Sequence, residues 1–207
     1  MGKINLYYGV VNSRKSSELL LSAHRNKQVG KKIMILQSDI NTRDGGFVKS
    51  RALKEPMEAI VISKDYSVLQ AWKDNGKSDL IFIDEIQFFS EKSIEDIIFL
   101  ANLPTKNILI FCYGLMSDFK GNIFPTINYL LPFCTKIKEI ETVCAVCHEK
   151  KATMNLMVGE HSDDNGISVG NHFEGVCTSC WLSKNLEKAR ENDDYESLKV
   201  KIYNKTN

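Results

Sequence analysis

The sequence predicts an α/β fold: a mostly parallel sheet with flanking helices, followed by a small metal-binding domain. Three observations predict it. Strand-like and helix-like segments alternate from residue 3 to residue 114, the apolar run Leu80–Ile83 ends directly in two acids, Asp84 and Glu85, and four of the six cysteines form two Cys-x-x-Cys pairs beyond residue 140. Alternation of this kind argues for strands linked by crossover helices. An unbroken apolar strand is buried on both faces, as in a parallel sheet, and such sheets bind ligands just beyond the carboxyl ends of their strands. Two adjacent carboxylates there repel each other and are costly to bury unless a cation or a proton shares the site. Mg²⁺ held together with phosphates is the commonest such cation.

Taken in order, residues 3–8 read as a strand ended by Gly9, and a helix runs from Ser16 to Gly30 with Leu19, Leu20 and Ala23 on one face. Residues 32–36 form a second strand. Residues 37–57 are polar and rich in Gly, Arg and Lys, which predicts a long loop that is either functional or mobile. A short strand at 59–62 and a helix at 68–73 precede the central segment, LIFIDEIQFF. Residues 91–103 place Ile94, Ile97, Ile98 and Ala101 at helical spacing and stop before Pro104; residues 107–113 form another strand, closed by Gly114. At 136–142 the pattern changes to polar and apolar alternation. The expected boundaries are therefore a nucleotide-binding domain at 1–140, a zinc-binding domain at 141–182 and a charged tail at 183–207, marked as weakly helical by Leu186 and Ala189 and loose over its last dozen residues.

A chain of 207 residues with 43% hydrophobic content can bury one main core and a small appendage. A net charge of +1 gives no electrostatic case for nucleic acid and disfavours a zinc-ribbon DNA binder. The apolar stretches at 97–101 and 108–112 fall far short of the roughly 20 residues a membrane helix needs. The N-terminus carries no signal-peptide core, and residue 6 is Leu where myristoylation requires Ser or Thr, so a cytoplasmic location is expected.

In a reducing compartment, paired cysteines indicate metal before disulfide. Cys144, Cys147, Cys177 and Cys180 supply four thiolates from two turns, a closed tetrahedral set for structural Zn²⁺ that pins both ends of residues 148–176. A redox pair is the alternative, but it has no need of two copies. Cys112 and Cys134, alone in apolar company, are expected to be packing residues, and His148 and His172 to be solvated.

Between the first strand and the first helix lies Gly9-Val10-Val11-Asn12-Ser13-Arg14-Lys15-Ser16, the frame of a phosphate-binding loop, Gly-x-x-x-x-Gly-Lys-Ser/Thr, with Arg14 in place of the second Gly. In such loops backbone N–H groups and a helix N-terminus surround the phosphates, the Lys reaches the terminal phosphates and the Ser hydroxyl binds Mg²⁺. The alternative is a Lys at an ordinary helix start. The acidic strand end at Asp84 and Glu85 favours the loop, because its metal needs such a partner. If position 14 requires a left-handed backbone, Arg costs roughly 1–2 kcal/mol there.

The runs YYGVVNSRKS, INTRDGGFVKSR, LIFIDEIQFF, CYGLMSDFKGNIF and CAVCHEKKATMNL, followed by Cys177-x-x-Cys180, resemble bacterial thymidine kinases, whose fold is shared with the cytosolic enzyme of animals; the resemblance spans about residues 3–181. It implies ATP-dependent transfer of the γ-phosphoryl group to the 5′-hydroxyl of thymidine or a related deoxynucleoside, with Mg²⁺ and structural Zn²⁺, in a homotetramer. By position it implies that Gly9, Val10, Val11, Asn12, Ser13, Arg14, Lys15 and Ser16 hold the nucleotide. Ser16 and Asp84 hold Mg²⁺, Gln87 orients nearby groups and Glu85 is the general base. Phe88, Phe119, Phe124, Val169, Gly170 and Phe173 surround the nucleoside, Phe173 standing where the family has Tyr. For each Phe alone, core packing is an equally good reading.

Departures from the family pattern cluster. Beside Arg14, Asn41 replaces an Asp, Met116, Lys120, Met157 and Thr178 stand where relatives have Arg, and a Gly pair is reduced to Gly170. Losing one charge clamp on a transferring phosphoryl group can cost on the order of 10³-fold. The second reading is therefore a catalytically impaired paralogue with a binding or regulatory role.

Overall fold

The computed structural model describes residues 2–40, 46–50, 53–63, 66–158 and 172–191, apart from the side chains of 50, 53, 54 and 188–191. The described residues within Met1–Tyr8, Arg14–Met116 and Phe124–Ile140 form one compact unit, and those within Gly9–Ser13, Ser117–Ile123 and Glu141–Asn207 a second.

The first unit contains β1 (Lys3–Tyr8), α1 (Lys15–Gln28), β2 (Ile33–Ser38), β3 (Phe47–Ser50), β4 (Leu53–Glu58), β5 (Ile60–Ile62), α2 (Val68–Asp74), β6 (Leu80–Ile83), α3 (Glu91–Ala101), β7 (Leu109–Gly114), α4 (Pro125–Leu130) and β8 (Lys136–Glu139). Six of these strands form a wholly parallel sheet in the order β5-β2-β6-β7-β1-β8. Successive strand residues point to opposite faces. Leu6, Leu36, Ile81, Ile83 and Ile110 accordingly meet Ile94, Ile97 and Leu100 of α3 and Ile127 and Leu130 of α4, while Ile35, Leu80 and Phe82 meet Leu19, Leu20 and Ala23 of α1. Burial on both faces explains why β6 reads as a continuous apolar run. Leu36, Ile83, Cys112 and Leu6 pair across one row, which aligns the carboxyl ends of β2, β6, β7 and β1.

The loop expected at 37–57 is in part a hairpin. β2 continues through Ser38, and β3 and β4 form an antiparallel ribbon that turns Val48 and Met57 toward α1. Pro56 lies inside β4, and Pro is tolerated there because a two-stranded ribbon leaves edge positions with no ladder bond to donate. Helix α4 was not legible either: six residues opened by Pro125 are too short to show a period. Among the described residues no helix is long and apolar enough to cross a membrane.

In the second unit β9 (Met154–Met157) and β10 (Phe173–Val176) pair antiparallel and α5 (Thr178–Glu191) follows. Its core consists of Cys144, Leu156, Val176, Cys177 and Trp181. Segment Ser117–Ile123 is a turn built on Asp118, whose carboxylate accepts from the backbone N–H groups of Lys120 at 2.9 Å and Asn122 at 2.8 Å.

Candidate active site

At the end of β6 the Asp84 N–H still bonds the Leu36 carbonyl, at 2.9 Å, and the chain then breaks out of the sheet. Glu85 adopts a left-handed conformation, φ 50° and ψ 49°, before a short 3-10 turn over Ile86–Phe88. A non-glycine residue in that region is strained by about 1–3 kcal/mol, which the surroundings must hold in place. Gln87 does so at the side chain. Its Nε2 donates to Glu85 Oε2 at 2.6 Å and its Oε1 accepts from the Leu115 N–H at 3.0 Å. Gly114 leaves room for that carboxamide: a Cβ there would collide with Gln87 Oε1 and lie 2.8 Å from Ile86 Cγ2.

Helix α1 brings Lys15 and Ser16 to the same place. The Ser16 hydroxyl donates to Asp84, 3.0 Å from Oδ2 and 3.3 Å from Oδ1, and both Lys15 and Asp84 are buried. Burial and the neighbouring Glu85 push the Asp84 carboxyl up to about 7, against the pull of Ser16 and Lys15. The Lys15 ammonium is lowered by burial, against the attraction of Glu85 and Asp84. Burial thus draws each group toward neutrality despite the opposite charge beside it. A divalent cation beside Asp84 and a polyphosphate beside Lys15 would reverse both shifts, and a hydroxyl with a carboxylate is the oxygen donor set Mg²⁺ takes.

Arg14 caps α1 in the left-handed region, φ 67° and ψ 26°. This is the backbone that the missing Gly would adopt freely. Its side chain is exposed and makes no hydrogen bond or ion pair among the described residues. Phe88 and Phe124 form an edge-on pair with centroids 6.3 Å apart in this unit.

The earlier part of the loop, Gly9–Ser13, folds with the second unit. Asn12 is also left-handed, φ 61°, and the buried Ser13 Oγ finds no partner among the described residues. The Val11 N–H donates to Asn155 Oδ1 at 2.9 Å. Phe119 and Phe173 lie 5.8 Å apart by centroid, and Trp181 Nε1 donates to the Phe119 carbonyl at 3.0 Å. Val169 and Gly170, and likewise Asn41, Arg43 and Arg51, lie outside the described residues.

All four sulfurs of Cys144, Cys147, Cys177 and Cys180 lie within 4.8 Å of one another. Tetrahedral Zn²⁺ with bonds of about 2.3 Å sets its thiolates roughly 3.8 Å apart, so a small contraction completes the site. The thiol of Cys144 is pushed up by burial, but backbone N–H groups of Cys147, Cys177 and Val146 outweigh this and leave it at about 6, while the hydrogen bond with Cys177 and burial push the Cys180 thiol up to about 12. His148 and His172 are exposed.

The thymidine kinase family model matches residues 2–181. The chain belongs to the thymidine kinase family. Thymidine kinase of Streptococcus pyogenes serotype M3 is 36% identical over 160 residues, 76% of this chain and 82% of that protein. The thymidine kinase of Lactococcus lactis is 36% identical over 74% of this chain and 80% of its own length, and that of Streptococcus agalactiae serotype Ia 34% identical over 75% and 82%. Among solved structures, the replication initiator DnaA bound to AMPPCP and single-stranded DNA matches with a TM-score of 0.37 at 15% identity, over 68% of this chain and 40% of that one, a likeness too slight to carry functional weight.

Within a thymidine kinase, the replaced positions take ordinary structural work. Met116 packs against the main core, Met157 pairs with Phe173 in the hairpin, and the Thr178 hydroxyl meets that of Thr153 at 3.0 Å. Lys120 alone keeps a cation near an aromatic wall, 5.4 Å above the Phe119 ring. Two residues escaped sequence reasoning. Gln37, on a strand end abreast of Asp84, is buried with both ends of its carboxamide unpartnered among the described residues; a lone polar residue in the apolar run IMILQS was the available signal. Asn155 carried none, because its partners are far away in sequence.

Proposed function

We propose that this thymidine kinase family member transfers the γ-phosphoryl group of Mg²⁺-ATP to the 5′-hydroxyl of thymidine. The observation that carries the reading is the meeting of Lys15, Ser16, Asp84 and Glu85 at the carboxyl end of one buried strand. In this reading Lys15 and the loop Gly9, Val10, Val11, Asn12, Ser13, Arg14 and Ser16 hold the phosphates. Ser16 and Asp84 would hold Mg²⁺, which would supply positive charge to offset that of the phosphates. Glu85 accepts the proton of the 5′-hydroxyl as its oxygen attacks the γ-phosphorus and ADP departs. Gln87 keeps the Glu85 carboxylate aimed. Transfer of this kind rests on positioning and charge neutralisation, so a well-aimed carboxylate suffices as base.

The role of facing the nucleoside stays with the residues to which the resemblance assigns it, Phe88, Phe119, Phe124, Val169, Gly170 and Phe173, since aromatic and apolar groups suit a flat pyrimidine. Cys144, Cys147, Cys177 and Cys180 hold Zn²⁺ in a structural role. A net charge of +1 supports a small-molecule substrate over nucleic acid, and paired metal-binding cysteines suit a reducing, cytoplasmic setting. No observation favours the impaired paralogue: the exposed Arg14 side chain makes no bond that would tie it into the phosphate cradle among the described residues.

The test is transfer of labelled γ-phosphate from Mg²⁺-ATP to each of the four deoxynucleosides. Thymidine should be phosphorylated fastest, and Glu85→Gln should lower kcat by about 10²–10⁴-fold, the usual share of general-base catalysis. Undiminished turnover in that variant removes Glu85 as the base, and no transfer by the unsubstituted protein removes the reading.

A further inference from the structure

We infer that Asn155 is a positioning residue through which the zinc-bearing hairpin sets the shape of the phosphate loop. The residue is buried on β9. Its carboxamide is used at both ends: Oδ1 accepts from the Val11 N–H at 2.9 Å, and Nδ2 donates to the Ser117 carbonyl at 2.9 Å. One side chain therefore joins three segments far apart in sequence, namely the loop Gly9–Ser13, the turn that carries Phe119, and the hairpin that follows the first cysteine pair. All three belong to the same compact unit.

A second contact closes the same grip. Gly175 on β10 faces the loop so closely that a Cβ would lie 2.5 Å from Val10 Cγ2 and 3.1 Å from the Val11 carbonyl oxygen. Asn155 and Gly175 are directly paired across the hairpin, so the polar and the steric contact act from one rung of the β-ribbon. That rung is held in turn by the sulfur cluster: the Ala145 N–H, between the first two cysteines, bonds the Gly175 carbonyl at 2.9 Å, and the Thr153 N–H bonds that of Val176, next to Cys177, at 2.8 Å. The consequence for chemistry lies in which loop amides face the phosphates. The Val11 amide is committed to Asn155 and turned away from a ligand, which selects one conformation of the loop and leaves the amides that follow to meet the nucleotide. Phe119 is tied into the same arrangement through Ser117, so loop and nucleoside wall share one anchor.

This inference rests on the nucleotide-binding reading of the loop, not on thymidine being the acceptor. Equilibrium binding of a fluorescent ATP analogue to the full zinc-loaded chain tests it, with zinc content measured on the same samples. Asn155→Ala should weaken nucleotide binding about tenfold, the scale of a buried hydrogen bond whose partner is left unsatisfied, with zinc retained. Unchanged affinity overturns the inference. Should Asn155→Ala fail to hold zinc, Gly175→Ala decides: weaker binding with zinc retained, recovered when Val10→Ala removes the opposing methyl, supports the clamp, and wild-type affinity in Gly175→Ala overturns it. In the unsubstituted chain, nucleotide binding without thymidine phosphorylation would remove the kinase reading and leave this test intact.

Discussion

Position 14 shows how a single side chain can depart from a motif without dismantling it. The loop needs a left-handed residue there, and the requirement is one of backbone shape, so Arg14 meets it at a cost of roughly 1–2 kcal/mol while its guanidinium points outward. Arg14→Gly should therefore raise folding stability, by about 1 kcal/mol once the extra freedom of Gly in the unfolded chain is subtracted, read as a higher midpoint in urea denaturation. A lower midpoint would mean that the guanidinium makes a stabilising contact that outweighs the strain. Asp84 and Lys15 follow a related logic. Both are buried beside one another and both are shifted toward their neutral forms, so the site is built at the expense of the ligand-free protein and is relieved by charge that arrives with the substrate. Lys15, Ser16, Asp84 and Glu85 were legible in the sequence because their chemistry is tied to local motifs. The grip of Gln87 on Glu85 and the space that Gly114 leaves for it were not, since they depend on β7 lying beside β6.

Among the elements, the four-cysteine hairpin has the smallest apolar cluster: five buried residues among those described, two of them Cys144 and Cys177 of the sulfur quartet. So little apolar surface cannot hold a fold by itself, and metal binding free energy becomes folding free energy for such a unit. Cys147→Ser should abolish stoichiometric zinc binding and loosen the packing of Trp181. The chain has two tryptophans, and Trp72 bonds the Ser78 carbonyl inside the first unit, so a Trp72→Phe background isolates the reporter. Emission of Trp181 should shift to longer wavelength when Cys147→Ser is added; an unchanged spectrum would show that the hairpin folds without its metal. The four cysteines could be grouped from spacing alone. That their hairpin carries Asn155 against Val11 could not, because nothing local links residues 144 positions apart.

At the scale of the whole molecule, the first unit leaves large apolar side chains in the open. Phe99 is 54% exposed, Phe133 45%, and Ile137 on the edge strand β8 50%. An edge strand with an apolar side chain invites pairing unless it is covered. Coverage by further copies of the chain fits the homotetramer implied by the family resemblance, and closed symmetry would cover the same surface in every copy. Sedimentation equilibrium should give four times the chain mass; a monomer at micromolar concentration would remove that assembly.

The parallel sheet, the phosphate-loop frame, the paired acids and the cysteine quartet were all legible in the amino-acid order alone. Each rests on short-range information: the period of apolar residues, the spacing of a motif, the chemistry of a residue type. The remainder came from tertiary packing: the hairpin within 37–57, the partners of Gln87 and Asn155, the burial of Lys15, and the grouping of Gly9–Ser13 with the four-cysteine unit. Those outcomes depend on which strands become neighbours, and adjacency in a sheet is set by the packing of the entire core, which no local stretch of chain encodes.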